Sequence, residues 1–163
     1  MFRKVLIFGN SGSGKSTLAR RLSTEQNLVH LDLDTLAWKQ GEAVIRAPLA
    51  ESEKTIHNFM NGNTAWVIEG CYADLLTIAL PFATDIIYLN LPIPICIKNA
   101  KMREWEPHKY QSKAAQDQNL NMLIEWISQY DERSDTFSKT AHLQLYNCFD
   151  GPKQMLTRNL CNR

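Results

Sequence analysis

The sequence has almost no surplus of either charge and no long apolar run. Eighteen Lys and Arg stand against seventeen Asp and Glu, so the formal net charge is +1. A protein that lives on nucleic acid usually carries a basic surplus, so nucleic acid is not expected as a partner. The apolar run at 5–8 is too short for a signal-peptide core or a membrane span. We therefore expect a cytoplasmic protein that does not enter the membrane.

Cysteine is also sparse, and its positions are scattered. None of the four cysteines belongs to a C-x-x-C pair, and no histidine lies at zinc-ligand spacing from Cys71, Cys96, Cys148 or Cys161. This spacing argues against a zinc site. We expect four reduced thiols in a reducing compartment.

Repeats, low-complexity tracts and linkers are absent, and 163 residues is the length of one domain, so we predict a single domain over 1–163. Apolar segments and the patterns between them predict alternating strands and helices, which is typical of an α/β fold with a parallel sheet. The predicted strands are 5–8, 28–33, 66–68, 85–91 and 153–157. The predicted helices are 15–26, 48–61, 93–105, 114–130 and one capped by Ser138.

The first predicted strand leads into a glycine-rich loop that opens a helix. The loop matches G-x-x-x-x-G-K-[ST] in the order Gly9, Asn10, Ser11, Gly12, Ser13, Gly14, Lys15 and Ser16. Glycines permit backbone angles that let successive amide N–H groups converge on phosphate oxygens, and the helix N-terminus adds positive charge. Lys15 is then expected on the β- and γ-phosphates and the Ser16 hydroxyl on magnesium. The loop, together with Thr17, predicts a site for ATP and Mg²⁺.

Carboxylates follow two of the predicted strands. Asp32 and Asp34 end the second strand, and Glu69 ends the third. Ligands of open α/β sheets bind at the carboxyl ends of the strands, so these acids are expected at the same edge as the loop. Because magnesium on ATP needs carboxylates nearby, we predict that Asp32 and Glu69 support it together with Ser16. The alternative for each acid is a solvated loop charge.

These segments make the sequence similar to the small P-loop kinases of the adenylate kinase and shikimate kinase type, above all to the adenylate kinase-like branch also called DNA topology modulation proteins. The resemblance is strong up to about Arg103 and looser beyond. It depends on the loop, on the acidic segment 30–38, and on 67–72, where Glu69-Gly70 stands in place of the usual Asp-Gly. It implies a three-layer P-loop NTPase fold, with a five-stranded parallel sheet between helices and a lid at about 104–113.

The resemblance also implies roles for individual residues near the lid. Two arginines four positions apart often act after strand four, and here the pattern gives Asn99 and Arg103, so Arg103 takes the phosphate role. Arg133 is implied to reach the transferring phosphoryl group, although it could equally be a surface arginine paired with an acid. The run 105–110 could close over the acceptor or only pack its own aromatic side chains. The second acid, Asp34, is the one expected to meet the acceptor.

We therefore predict an ATP-dependent phosphotransferase, monomeric or homodimeric, acting on a small molecule. Asp34 suits a hydroxyl acceptor because it can take the proton. Arg46 is the only arginine between Arg21 and Arg103, so there are few candidates to bind an acceptor phosphate. The alternatives are a nucleoside monophosphate kinase, an ATPase and a non-catalytic nucleotide-binding regulator; a GTPase would show N-K-x-D, which is absent. Trp38 could line the acceptor pocket, although a large aromatic residue is more often part of the core.

Overall fold

Within residues 1–39 and 45–160, which the structure, a computed structural model, describes, five parallel strands form one sheet. The spatial order is β2-β3-β1-β4-β5. The strands are β1 (Lys4–Gly9), β2 (Val29–Asp32), β3 (Trp66–Gly70), β4 (Asp85–Leu89) and β5 (Lys153–Leu156). The predicted α/β fold with a five-stranded parallel sheet is confirmed. The prediction for Cys161 lies outside the described residues.

Six helices of the described chain cover the two faces of the sheet, with α1, α4 and α5 on one face and α2, α3 and α6 on the other. None of these helices is both long and apolar enough to cross a membrane. The sequence pattern missed α3, a short helix in which four of seven residues are buried, because periodicity does not distinguish such short apolar stretches. The helices are α1 (Lys15–Gln26), α2 (Leu49–Gly62), α3 (Ala73–Ala79), α4 (Ile93–Lys101), α5 (Lys113–Ser128) and α6 (Lys139–Cys148).

The central strand β1 explains why its sequence is apolar without alternation. Val5 and Ile7 belong to the core under α1, α4 and α5, whereas Leu6 and Phe8 belong to the core on the opposite face. All four side chains are fully buried. A strand covered on both faces needs no polar side. Its carboxyl end therefore delivers Gly9 and the loop that follows to one edge of the sheet.

A chain of hydrogen bonds crosses the core between the sheet and α6. The hydroxyl oxygens of Tyr88 and Tyr130 are 2.7 Å apart, and that of Tyr130 is 2.7 Å from Nδ1 of His142. Nε2 of His142 lies 2.8 Å from the carbonyl oxygen of Cys71. A carbonyl only accepts, so Nε2 donates, Nδ1 accepts from Tyr130, and Tyr130 accepts from Tyr88. The chain fixes the backbone at Cys71, directly after β3.

We expect the free energy of unfolding to fall as the pH drops from about 6.5 towards about 4. Burial lowers the pKa of His142 to about 4, whereas a histidine in the unfolded chain titrates near its ordinary value of about 6.5. In this window the unfolded chain binds a proton that the folded chain does not, so acid favours unfolding by up to about 1.4 kcal/mol per pH unit. Urea unfolding across this pH range measures the loss.

His142→Gln is the matched control for this pH dependence. Glutamine keeps one donor and one acceptor but does not titrate in this range. The variant should therefore lose less stability than the parent chain between about pH 6.5 and about pH 4. Parallel stability curves for the two proteins would show that His142 does not contribute to acid unfolding.

Candidate active site

The loop between β1 and α1 is shaped by glycine and anchored from two sides. Gly12 has a φ of +78°, and a Cβ atom there would come within 2.3 Å of the Cys96 carbonyl oxygen. The Asn10 side chain donates to the Ile127 carbonyl of α5 at 3.2 Å, and Asn99 of α4 donates to the Gly12 carbonyl at 2.8 Å. The loop is therefore held against both α4 and α5.

Polar groups of this loop fit a phosphate chain. Lys15 Nζ donates to the Asn10 carbonyl at 2.8 Å, so its ammonium group lies over the loop. Ser13 Oγ is buried and has no hydrogen-bond partner. Gly14, with a φ of 90°, precedes α1, and no side chain caps that helix. Unpartnered buried donors and free helix N–H groups are costly alone but suit an anion.

The predicted magnesium residues meet beside the first turn of α1. Ser16 Oγ donates to Glu69 Oε1 at 2.7 Å, and the same oxygen is 3.3 Å from His30 Nε2. Glu69 is 1% exposed, and its register partner on β2 is Asp32. Among the described residues, no three His, Cys, Asp or Glu side chains gather into a ready-made cation site. A metal ion bound by Ser16, Glu69 and Asp32 would therefore also need oxygen atoms from a ligand such as ATP.

Asp34 lies in a 3₁₀ turn directly after β2, where three polar groups hold it. Its amide donates to Asp32 Oδ1 at 2.9 Å. Its carboxylate accepts a hydrogen bond from the Tyr72 hydroxyl and pairs with Lys109 Nζ at 2.7 Å. The Tyr72 hydroxyl also accepts from the indole N–H of Trp38 at 2.9 Å. The sequence did not identify Tyr72 or Lys109 as partners of Asp34.

The surrounding charges separate the two aspartates. Burial raises the pKa of Asp32, and the negative charges of Glu69 and Asp34 raise it further. Burial also acts to raise the pKa of Asp34, but the Lys109 ammonium and the hydrogen bonds from Lys109 and Tyr72 outweigh it and hold that pKa below its ordinary value. Burial acts to lower the pKa of Lys109, but the two aspartates outweigh it and raise it. The Asp34–Lys109 pair is therefore ionised near neutral pH.

The segment 102–112, which joins α4 to α5 and is called the lid below, lies over the acids. Besides its contact with Asp34, Lys109 Nζ is 3.5 Å from Asp32 Oδ2 and 3.1 Å from Glu106 Oε2. His108 Nε2 is also 3.5 Å from Asp32 Oδ2. This segment contains most of the predicted lid, 104–113, and its Lys109 and His108 side chains contact the strand-two acids directly.

A cleft of about 1700 Å³ lies between the glycine-rich loop and the lid. Its lining includes 11–17, Asp34, Glu69 and Arg103, so most of the predicted site residues share one space. The cleft lining does not include Gly9, Asn10 or Asp32. Asp32 is covered by His108 and Lys109.

Of the two predicted arginines, Arg103 lines the cleft and Arg133 does not. Arg103 lines the cleft and pairs with Glu106 at 3.3 Å. Arg133 pairs with Asp135 at 3.1 Å and donates to the Trp126 carbonyl at 3.1 Å, and its guanidinium carbon lies 4.1 Å from the centre of the Trp126 ring. Arg133 thus has the contacts of the alternative, a surface arginine paired with a neighbouring acid, and it does not line the cleft.

The cysteines of the described ranges, Cys71, Cys96 and Cys148, form no disulfide with one another. Burial raises the pKa of Cys71 to about 12 and that of Cys96 to about 11. Both thiols are therefore protonated near neutral pH. Cys71 lines the cleft as a neutral group rather than as a thiolate nucleophile.

Comparison with known sequences covers most of the chain. A family model described as AAA domain matches residues 5–121, which contain the glycine-rich loop, the three acids and the lid. The protein YqaC of Bacillus subtilis (strain 168) is 27% identical over an alignment of 138 residues, and the match covers 80% of this chain and 74% of YqaC.

Solved structures with a similar fold include three kinases. Shikimate kinase from Bacteroides thetaiotaomicron has a TM-score of 0.59 at 15% identity, covering 99% of this chain and 90% of that one. Shikimate kinase from Acinetobacter baumannii in complex with shikimate has a TM-score of 0.53 at 14% identity, covering 99% and 86%. A sugar kinase from Janibacter sp. HTCC2649 has a TM-score of 0.51 at 16% identity, covering 96% and 86%. The fold is thus that of P-loop kinases, as the resemblance implied.

Proposed function

We propose that this chain, which belongs to the AAA domain family across residues 5–121, is an ATP-dependent phosphotransferase. It moves the γ-phosphate of ATP onto a hydroxyl group of a small molecule. The observation that carries the proposal is that Lys15 and Asp34 line the same cleft. Lys15 supplies the positive charge for the phosphates, and Asp34 supplies a carboxylate for the acceptor.

The glycine-rich loop forms the ATP side of the site. Lys15, held now by a single backbone carbonyl, exchanges that contact for phosphate oxygens. Ser13 Oγ and the loop amides donate to the same phosphates. Magnesium, when bound with ATP, would be held by Ser16 with Glu69 and Asp32 around it, and it supplies neutralising charge at the phosphates.

Asp34 and Lys109 form the acceptor side. An acceptor hydroxyl takes the place of the Lys109 ammonium at the Asp34 carboxylate. Once Lys109 has left, burial is opposed by fewer stabilising contacts, so the pKa of Asp34 rises and the carboxylate becomes a stronger base. As the hydroxyl oxygen bonds to phosphorus, its proton passes to Asp34, the bond from phosphorus to the ADP oxygen breaks, and ADP leaves. While the phosphoryl group is being transferred, Lys109 and Arg103 are available to stabilise its negative charge.

The test is to measure ADP formation from ATP and Mg²⁺ with and without a panel of alcohols, and to identify products by mass spectrometry. We expect ADP formation to increase with the correct acceptor, together with a product that is heavier by one phosphoryl group. ADP formation at one rate whatever the acceptor, with no phosphorylated product, would instead identify a simple ATPase.

We expect Lys109→Met to loosen the lid of the ligand-free protein. Lys109 is mostly buried and contacts Asp34, Asp32 and Glu106. Losing a charge-assisted hydrogen bond of about 1.5–3 kcal/mol should raise local opening, and hence amide exchange across 102–112, by about tenfold or more. Hydrogen exchange with mass spectrometry measures it.

Lys113→Met is the matched control for the lid. It lies at the start of α5, and its pair with Asp117 at 2.5 Å is more than half exposed on both sides. Such pairs contribute little, so lid exchange in this variant should stay near that of the parent chain. Equal exchange in Lys109→Met and Lys113→Met would contradict the assignment of Lys109 as the residue that holds the lid.

A further inference from the structure

Four aromatic rings form a continuous row along the cleft. Trp38 and Tyr72 have ring centres 6.3 Å apart, Tyr72 and Phe137 5.3 Å, and Phe137 and Trp126 5.4 Å, each pair in an edge-to-face arrangement. All four residues line the cleft. We call this row, made of Trp38, Tyr72, Phe137 and Trp126, the aromatic wall.

The guanidinium groups of Arg46 and Arg133 pack against the rings of the wall, and neither residue lines the cleft. The guanidinium carbon of Arg46 lies 5.0 Å from the Tyr72 ring centre, with the rings of Trp38 and Phe137 also within 6.0 Å. The wall is thereby stiffened by cation–π contacts.

Both guanidinium groups already have an acidic partner. Arg46 pairs with Asp74 at 3.1 Å, and Arg133 pairs with Asp135 at the same distance. The wall therefore presents carbon atoms rather than positive charge to a molecule in the cleft.

The wall begins at Asp34, the group that would activate the acceptor. The Trp38 indole donates to the Tyr72 hydroxyl, and that hydroxyl donates to the Asp34 carboxylate. Trp38 is nonetheless 39% exposed, so its ring is not used up in the core. A molecule whose hydroxyl reaches Asp34 therefore comes close to Tyr72 and Trp38, the two rings of the wall nearest that carboxylate.

From this juxtaposition we infer that the acceptor is an uncharged alcohol that carries a flat aromatic ring. The inference rests on the function proposed above and names its substrate class. Tyr72 is 2% exposed and Trp38 is 39% exposed, so a flat ring gains stacking and burial against the wall chiefly at Trp38. A polyol would lose hydration at rings that offer few hydrogen bonds. An acceptor phosphate would need a cation of its own. The two guanidinium groups on the wall are paired with acids, and Lys109 and Arg103 of the cleft are assigned to the transferring phosphoryl group.

Calorimetric titration with five probes tests the inference, at saturating Mg²⁺ and a non-hydrolysable ATP analogue that fills the nucleotide site. Uridine and pyridoxine are neutral alcohols with flat rings. Glucose is a neutral alcohol without an aromatic ring, shikimate is an anionic alcohol whose ring is not aromatic, and uridine monophosphate adds a phosphate. We expect at least one of the two ring alcohols to bind about tenfold or more tighter than glucose, shikimate and uridine monophosphate.

Two leucine variants show whether the wall is the cause. Trp38→Leu should weaken binding of the ring alcohol by about tenfold and leave the affinity for the ATP analogue unchanged. Phe82→Leu removes an exposed aromatic ring that does not line the cleft, and it should leave both affinities unchanged.

The outcomes separate this inference from the proposed function. Tighter binding of glucose, shikimate or uridine monophosphate, no binding of either ring alcohol, or an unchanged affinity in Trp38→Leu would overturn the inference. A ring alcohol that binds through Trp38 but gains no phosphate from ATP would leave the inference standing and overturn the proposed kinase activity.

Discussion

Replacement of Lys15 by alanine should reduce the rate of phosphoryl transfer by about a thousandfold or more. Removing one preorganised group that stabilises transition-state charge costs about 10²–10³ in kcat, and Lys15 carries a full charge. Its ammonium group is bound to the Asn10 carbonyl in the ligand-free loop, so it can turn to the phosphates without breaking an ion pair. Initial rates of ADP and product formation at saturating acceptor measure the loss.

Lys54→Ala is the matched control for Lys15→Ala. Lys54 is exposed on α2, away from the cleft, and its loss should leave transfer unchanged. Both variants should unfold near the midpoint of the parent chain, because Lys15 makes one hydrogen bond to a backbone carbonyl. Transfer at the parental rate in a folded Lys15→Ala protein would refute the assignment of the loop as the phosphate site.

Asp34→Asn should lose about a hundredfold to ten-thousandfold in transfer to a hydroxyl acceptor while ATP affinity stays close to normal. Asparagine has the shape of aspartate and can still accept from the Tyr72 hydroxyl. It cannot take the acceptor proton, and it no longer pairs with the Lys109 ammonium. ATP-analogue titration and acceptor turnover, measured on the same preparation, separate the two effects.

Asp32→Asn is the control from the same turn. Asp32 lies at the end of β2, where its register partner on β3 is Glu69. The substitution should therefore weaken the response to magnesium more than the affinity for the acceptor. If both variants lose ATP binding and melt early, the two acids only hold the turn together. If Asp34→Asn transfers phosphate at the parental rate, the hydroxyl kinase gives way to the nucleoside monophosphate kinase.

Local patterns were sufficient to predict the frame of the molecule. A few neighbouring residues are enough to identify each feature. These features are the apolar run of β1, the glycine-rich motif with Lys15, and the acids that follow β2 and β3. Parallel strands bring their carboxyl ends to one edge, so the meeting of Ser16 with Glu69 follows from topology.

The partners of these residues could not be predicted in the same way. Asp34 follows β2, whereas Lys109 lies in the lid after β4, and β2 and β4 are not neighbours in the sheet. No local sequence pattern links the two residues, which pair in the structure. Tyr72 belongs to the segment 67–72, but nothing in that segment indicates a hydrogen bond from its hydroxyl to Asp34. Arg133 fits the motif of a phosphate-binding arginine, but Trp126 and Asp135 provide a stacking and pairing site closer to hand.

The hydrogen bond from the Asn10 side chain to the Ile127 carbonyl links the glycine-rich loop to one end of α5. It pins the glycine-rich loop near the last turn of a 16-residue helix whose first residue follows the lid. At about 1.5 Å per residue the helix is about 24 Å long, so a tilt of about one degree at the pinned end displaces the other end by about 0.4 Å. A tilt of α5 that followed a rearrangement of the loop around a phosphate would therefore be felt most at the lid, the end of the helix away from the bond.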